Sequence, residues 1–373
     1  MTSQVYGAII LGGGLAGAAM AAALAPRVSL LILERETHLG HHASGRSTGM
    51  FIPSYGGPTI AALAEASRPY LEAPPGGAGP LLTPRDVLHV SRRRCPAPSA
   101  TVLPVSPAAA HALSPMLKTR GLRSAWLETG TGELDAVGLH QSLMASAVRQ
   151  GAGLRLGVRP QVLGHDGAVW RLRVEGETLC CFALVNATGA WADETTAALG
   201  LPPLGLTAYR RTVILVDPPQ PRPQVLAGPI IKDLEDRYYL RPFGQDLLVS
   251  PCDETPSPPT DAQPETCDIA LAVARLKQAT GYEPQTIKHR WAGLRSFAPD
   301  RMPVIGWDLR APRLFWLAGL GGYGVQTAPA AGQLAADLFF GVKAPTLDAM
   351  IPQIAQKVSP ERLMTPRLPA PGV

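Results

Sequence analysis

The sequence predicts a two-domain α/β protein, one domain built on a βαβ unit of the dinucleotide-binding kind and the other on a mainly antiparallel sheet. Three observations lead there. The stretch from Val5 to Glu34 reads as strand, glycine turn, helix, strand and terminal acid. Two later strand ends, at Asn186–Gly189 and Ala318–Gly324, repeat that strand-to-turn-to-helix logic. From Pro202 onward, apolar runs alternate with Pro-rich turns, the texture of antiparallel strands.

The run Val5 to Leu11 is short and apolar and stops at Gly12, Gly13 and Gly14, as a buried strand entering a tight turn does. Leu15 to Leu24 is an Ala-rich helix with no polar face, and Val28 to Leu33 is a second strand closed by Glu34. Glycines 12, 14 and 17 fit G-x-G-x-x-G in this context. Gly12 allows the turn, Gly14 lets backbone N–H groups approach a pyrophosphate, and Gly17 lets the helix pack close to the strand. The phosphates then face the positive end of the helix. Glu34, about twenty residues past the glycines, can accept both ribose hydroxyls of an adenosine.

Composition bounds the rest. A chain of 373 residues with 46% hydrophobic content has material for two packed domains. The balance of 34 Lys+Arg against 29 Asp+Glu gives a net charge of +5, and the basic residues are scattered, so no nucleic-acid partner is expected. No apolar stretch reaches membrane-spanning length, and the N-terminus lacks a signal peptide's pattern, so a reduced, cytoplasmic protein is expected. Cys95, Cys180, Cys181, Cys252 and Cys267 form no C-x-x-C and no metal-spaced pairing with His, so no metal is expected and free thiols are. A vicinal disulfide at Cys180–Cys181 is the other arrangement that spacing allows.

The remaining elements follow in order. The polar Gly/Ser-rich stretch from Arg35 to Gly57 is aperiodic, and two readings fit it. As a ligand loop, it offers Ser44, Arg46 and Ser47 to phosphates or a ring system, and Met50, Pro53 and Tyr55 as pocket walls; otherwise it is a surface connection. Thr59 to Leu71 is a helix, Pro74 to Pro80 a linker, Leu81 to Val90 strands, and Pro104 to Leu117 a short helix and turn. Asp135 caps a helix from Ala136 to Gln150 with Val137, Leu139, Leu143, Met144, Ala147 and Val148 on its apolar side. Leu154–Val158, Gln161–Leu163, Val169–Val174 and Thr178–Val185 are a strand and a meander, and a helix from Trp191 to Leu199 follows the NATGAWADE turn. Leu204–Val216, Val225–Ile231, Tyr238–Arg241, Leu247–Ser250 and Gln285–Leu294 are strands of the second sheet, and Ile269–Thr280 is a helix. Phe315–Ala318 is a last buried strand, entering a glycine turn before the helix Val325 to Phe340. The Arg/Pro segment past Ser359 is frayed or packed as an arm. His41 and His42 have no identifiable partners, and His89, His111, His140, His165 and His289 read as solvated or core residues.

At this point the blocks LGGGLAG with Glu34, HASGRSTGMFIPSYG, NATGAWAD, YRRT, RYYLRP, WAGLRSFAPDRMPVIG and GLGGYGVQTAPAAG, in that order, resemble the FAD-dependent D-amino acid oxidase/dehydrogenase family, the group that includes glycine oxidase and sarcosine oxidase. Within it the chain is most similar to D-arginine dehydrogenase-like D-amino acid dehydrogenases. The resemblance implies a two-domain flavoprotein of the glutathione reductase type. Residues 1–80, 136–200 and 296–373 would form a Rossmann-like FAD-binding domain, and residues 81–135 and 201–295 a substrate-binding domain.

By that resemblance Gly12, Gly14, Leu15, Ala16, Gly17, Glu34, Arg35 and the backbone of Val158 would hold the ADP half of a non-covalent FAD. Ser44, Arg46, Ser47 and Thr48 would border the pyrophosphate and flavin, with Gly189 and Trp191 along the ribityl chain. The turn of Gly321, Gly322, Tyr323, Gly324, Val325, Gln326 and Thr327 would donate N–H groups to the flavin O2 edge, where reduced flavin carries negative charge. Arg211, whose neighbour Arg210 also stands in the YRRT block, would join Arg295 on a substrate carboxylate, since guanidinium groups bind carboxylates bidentately. Tyr239 would meet the same carboxylate, and Tyr55 would close over the substrate. Met50, Val87, Gly322 and Tyr323 would wall the pocket.

Two departures from the D-arginine dehydrogenase pattern bear on specificity. Its side-chain-binding Glu falls on Val87 or Asp86 here, with Val87 the better match, and its flavin-loop His is Met50. A neutral or apolar side chain is therefore expected over a cationic one. The expected reaction is oxidation of a D-amino acid, or a related α-amine, to an imino acid that water converts to a keto acid and ammonia. The electron acceptor is oxygen or a quinone or carrier, and a glycine, sarcosine or proline-type amine oxidase is the alternative. A nicotinamide-dependent reductase would be colourless when purified; a yellow protein that no amine bleaches would be a flavin-binding module.

Overall fold

The computed structural model describes residues 5–77, 79–341 and 351–364. The nucleotide-type unit forms as its sequence dictates. Strand Val5–Leu11 pairs in parallel with Leu30–Leu33 on one side and with Glu177–Asn186 on the other, and the helix Leu15–Leu24 crosses between the first two. Gly153–Arg155 extends the sheet past Leu30–Leu33, Gln161–His165 and Trp170–Val174 extend it on the other side, and Leu314–Ala318 joins Glu177–Asn186 in parallel. Val304–Trp307, which the sequence does not mark as a strand, completes the eight-stranded sheet.

Burial of one face of this sheet explains its helices. Leu15–Leu24, Gly57–Glu72, Ala136–Arg149 and Gly324–Phe340 pack on it in a single apolar core. The Ala-rich composition of the first and last lets their backbones approach closely. At Gly17 the approach is extreme, because a Cβ there would lie 1.9 Å from the Gly12 carbonyl oxygen. The helix Ala136–Arg149 turns Ala136, Leu139, His140, Leu143, Met144 and Ala147 inward. Val137 and Val148 are exposed, against expectation, because a buried i, i+3, i+4 stripe leaves both off its centre.

The second sheet has nine strands and is antiparallel except where Ile230–Asp233 pairs with Val87–Ser91. Its longest ladder joins Thr207–Val216 to Ile287–Phe297. Several expectations are corrected here. The run Val225–Ile231 is not one strand: Pro223 in the first turn starts the short helix Arg222–Ala227, Gly228 ends it, and the strand begins at Ile230. Leu81–Val90 splits between two sheets, with Leu82–Pro84 joining Gly132–Leu134 and Met50–Phe51 in a small third sheet and Val87–Ser91 entering the large one. Ser124–Glu128, absent from the sequence reading, pairs with Val87–Ser91. The helix after NATG is only Ala192–Ala197, preceded by a 3-10 turn at Gly189–Trp191.

Past Ser359, Pro360–Leu363 is a packed 3-10 turn in which Arg362 Nε donates to Asp300 at 2.6 Å. Residues 365–373 of that segment lie outside the described residues. Among the described residues no helix is long and apolar enough to cross a membrane. All five cysteines are free thiols.

Candidate active site

The carboxyl ends of Val5–Leu11, Glu177–Asn186 and Leu314–Ala318 lie side by side, and each enters a turn that opens onto one cavity of about 890 Å³. The large antiparallel sheet closes the opposite wall with Arg211, Val213, Lys232, Tyr239 and Arg295. A crevice beyond the carboxyl ends of parallel strands is where α/β sheets bind ligands.

At the nucleotide end, Glu34 is oriented by two backbone donors, the Gly13 N–H at 2.7 Å and the Glu36 N–H at 2.9 Å. Ser44 Oγ accepts from the Leu15 N–H at 2.8 Å, so the loop serine sits on the first turn of the helix. The N–H groups of Gly14 and Ala16, which line the cavity, have no protein partner among the described residues. They are free donors at a helix N-terminus, which suits an anion. Behind the turn, His140 donates from Nε2 to the Gly13 carbonyl at 2.7 Å. Burial holds its imidazole below its ordinary pKa, against the opposing effect of that hydrogen bond, and keeps the ring neutral. Arg35 lies over the Trp191 ring, 4.2 Å from its centroid, and His42 stacks on the same ring at 4.6 Å.

The second strand end is fixed by Asn186, whose buried amide donates to Ala192 O at 2.8 Å and to Thr196 Oγ1 at 3.2 Å. At the third, the N–H groups of Tyr323, Gln326 and Thr327 all bond within the turn, and Gly321 N–H bonds to Ser296 O. The donors left for a ligand are those of Gly322, Gly324 and Val325, a narrower set than the sequence implied. Gln326 holds the Ile52 N–H through Oε1 at 2.8 Å, while its Nε2 is buried with no partner.

The cavity wall opposite the strand ends is organised by the ladder between Thr207–Val216 and Ile287–Phe297, where Arg211 faces Gly293 and Tyr209 faces Arg295. Alternation therefore sends Arg211 and Arg295 to the cavity face and Arg210 to the other, where it pairs with Asp268 at 2.9 Å and with Glu265. Arg295 donates from Nη1 to Tyr55 Oη at 3.1 Å and from Nη2 to Glu254. Its buried Nε has no partner among the described residues. Arg211 donates from Nε to Asp253 O at 2.8 Å and reaches Glu254 at 3.3 Å. Tyr239 donates to Thr48 Oγ1 at 3.2 Å, and burial raises its pKa, so the phenol stays protonated.

The cavity thus gathers the expected residues except Gly17, Pro53, Val87, Tyr323 and Thr327. Gly17 and Thr327 lie within the packed helices, and Tyr323 stacks edge-on against Tyr55 with ring centroids 5.1 Å apart. Val87 is fully buried behind the wall with Ile52 and Ile230, because its strand is interior to the sheet. Arg46 lines the cavity, but its guanidinium is tied to Asp261, to the carbonyls of Ala262 and Ala292 at 2.9 and 3.1 Å, and to His41 O at 3.1 Å. It straps the loop to the second sheet more than it offers itself to a phosphate.

Four contributors went unread in the sequence, Glu254, Lys232, Asp236 and Glu128; the last pairs with His89, which is buried as a core histidine. Glu128 lies 2.7 Å from His89 Nε2 and accepts from the Ser54 N–H at 3.1 Å and from its hydroxyl, anchoring the loop that carries Tyr55. Burial alone would raise its pKa, but these contacts hold it below the ordinary value. His42 likewise has a partner, Glu36 at 2.9 Å.

A family model described as FAD dependent oxidoreductase, DAO, matches residues 8–338. Dimethylglycine dehydrogenase of Mus musculus mitochondria is 24% identical over 255 residues, which cover 62% of this chain and 29% of that protein. A D-amino acid dehydrogenase of Xanthobacter autotrophicus is 29% identical over 234 residues, covering 61% of this chain and 52% of that one. The chain therefore spans about a third to a half of the length of these curated relatives. Among solved structures, L-proline dehydrogenase of P. horikoshii superposes with a TM-score of 0.78 at 18% identity, covering 96% of this chain and 98% of that one; at that identity the likeness shows the fold.

The residues present fit FAD. N–H donors without a partner among the described residues line the cavity at two helix N-termini, Glu34 lines the same cavity with its carboxylate fixed by backbone donors, and Gln326, also in the lining, has a buried Nε2 with no partner among the described residues. At Gly322 a Cβ would meet Arg295 Nη1 at 2.7 Å, so the glycine turn and Arg295 approach each other closely across the cavity.

Proposed function

This chain belongs to the DAO family of FAD-dependent oxidoreductases, and we propose that its reaction is the oxidation of an α-amino acid, a D-amino acid or related α-amine, to the imino acid. The observation that carries the proposal is the pair Arg211 and Arg295, partly buried on one face of the antiparallel sheet and lining the cavity with Tyr55 and Tyr239. Two guanidinium groups and two phenols form a binding site for one carboxylate. In this reading the protein has two domains, the eight-stranded mixed sheet holding the cofactor and the nine-stranded, mainly antiparallel sheet the substrate.

FAD, when bound, supplies a two-electron acceptor that takes the substrate's Cα hydrogen as hydride. The chain's own residues bind, orient and desolvate. Arg295 and Arg211 fix the carboxylate, and Tyr239, protonated because it is buried, donates to it. Tyr55, held by Arg295 and by the Ser54–Glu128 anchor, covers the substrate and excludes water. The nitrogen lone pair forms the C=N bond as Cα–H breaks, so the amine must first lose its extra proton to solvent, and no protein base is needed at Cα. Water adds to the released imine and expels ammonia, leaving a keto acid. The reduction rate accordingly rises with pH through the ionisation of the substrate amine.

Met50, Ile52 and Val213 give the side-chain region an apolar wall, and Lys232 on the same wall opposes a cationic side chain. The test is product analysis after a single anaerobic turnover: one keto acid and one ammonia for each flavin reduced. Reduction without release of ammonia or a smaller amine would remove the amine-oxidation reading.

A further inference from the structure

Lys232 stands directly across the ladder from Tyr239, on the strand Ile230–Asp233, and its side chain, 11% exposed, lines the same cavity as Met50, Ile52, Val213 and Cys252. Its ammonium lies 4.8 Å from the centroid of the Tyr55 ring, whose hydroxyl accepts from Arg295. Arg295 thus meets the hydroxyl of Tyr55 and Lys232 lies over its ring, so a substrate packed against Tyr55 has two separate cations beside it. A lysine ammonium placed on such a wall loses hydration that only an anion or strong acceptor restores.

Asp236, which pairs with Lys232, does not cancel this. It is 57% exposed at the cavity rim, where water screens its charge, whereas the lysine is enclosed. The carboxylate end shows the same asymmetry, since Glu254 is 34% exposed and its partners Arg211 and Arg295 are 11% and 14% exposed. The cations face inward and the acids outward, so the potential inside the pocket is positive beside both cation sites.

We propose that the substrate carries a second carboxylate, on its side chain or on its amine nitrogen, and that Lys232 binds it. The inference rests on the amine-oxidation reading for what happens to the substrate, but the binding of two carboxylates stands independently of it. An ammonium with three donors can serve a substrate carboxylate and Asp236 together. An amide in the same place loses the charge-assisted part of the contact.

The experiment compares aspartate and glutamate, in both chiral forms, and iminodiacetate with asparagine, glutamine and glycine as reductants of the FAD-loaded protein. The expected result is at least tenfold higher kcat/KM for the acids than for their amides, a ratio that falls at least tenfold in Lys232→Met and rises in Asp236→Asn. Equal kcat/KM for acid and amide, or an unchanged ratio in Lys232→Met, would overturn the inference and leave the amine-oxidation reading standing. If no amine reduces the flavin, calorimetry decides: succinate should bind at least tenfold more tightly than butyrate, an advantage lost in Lys232→Met. Equal affinities would end the inference, whereas the expected difference would retain it while the amine-oxidation reading fell. Replacing a buried lysine by an apolar residue of similar length removes a desolvated charge, so the variant is expected to fold.

Discussion

Glu254 pairs with Arg295 through one carboxylate oxygen, and that oxygen also lies 2.8 Å from Arg301 and 3.3 Å from Arg211. Three guanidinium groups converge on one acid at the place proposed for a substrate carboxylate. Burial would raise the pKa of Glu254, but its arginine contacts hold it below the ordinary carboxylate value. Arg211 and Arg295 each keep a second anchor, at Asp253 O and Tyr55 Oη. Neutralising Glu254 therefore frees positive charge more than it loosens the arginines. Glu254→Gln is expected to tighten binding of a carboxylate inhibitor severalfold, read as the dissociation constant from flavin absorbance; weaker binding would mean that Glu254 acts mainly as a scaffold.

Removing Arg295 should act on binding and rate together, because it holds the carboxylate and Tyr55 at once. A hydrogen bond to a charged group contributes about 1.5–3 kcal/mol, so Arg295→Met is expected to lower kcat/KM by roughly 10- to 100-fold. Tyr55→Phe should lose less, and the double variant should lose less than the product of the two, since they share one contact. Independent, multiplicative losses in steady-state kinetics would show that the contact is not used.

Gly17→Ala should abolish cofactor retention. The added methyl would sit 1.9 Å from Gly12 O, and the helix would have to withdraw from the turn that presents Gly14 and Ala16 N–H. Flavin content per chain after purification measures this, and a fully loaded variant would contradict the close approach.

His140 sets a pH limit on the same turn. Burial depresses its folded-state pKa below the ordinary 6.5, so its contribution to stability is fully present above pH 6.5 and is lost as pH falls through the folded value. Thermal stability and FAD retention should therefore decline on acidification below pH 6.5, and less steeply in His140→Gln, which keeps a donor for Gly13 O. A wild-type profile flat through that range would contradict the assignment.

The first βαβ unit was legible because its information is local. Strand Val5–Leu11 and helix Leu15–Leu24 have the bounds their apolar runs dictate, and Glu34 stands where the spacing places it. The substrate wall was less so. Which of Arg210 and Arg211 faces the cavity is decided by pairing with a strand that carries Gly293 and Arg295, a register no local window contains. Val87 looked like a pocket residue until its strand proved interior to a sheet. Glu254 and Lys232 sit in no motif, and their role comes from partners far along the chain, as when Arg295 meets Tyr55 across 240 positions. The split at Gly228 was missed because Val225, Leu226, Ile230 and Ile231 read as one apolar run until Pro223 and Gly228 are weighed as a helix start and stop.

The most direct measurement is anaerobic mixing of the FAD-loaded protein with D- and L-amino acids, glycine, sarcosine, proline and iminodiacetate, and with their carboxylate-free counterparts such as alaninamide and methylamine, following flavin absorbance near ~450 nm. The account predicts bleaching by carboxylate-bearing α-amines of one chirality, with no bleaching by amines that lack the carboxylate. Bleaching by amines irrespective of a carboxylate, or none from any α-amino acid while dithionite still reduces the flavin, would contradict it.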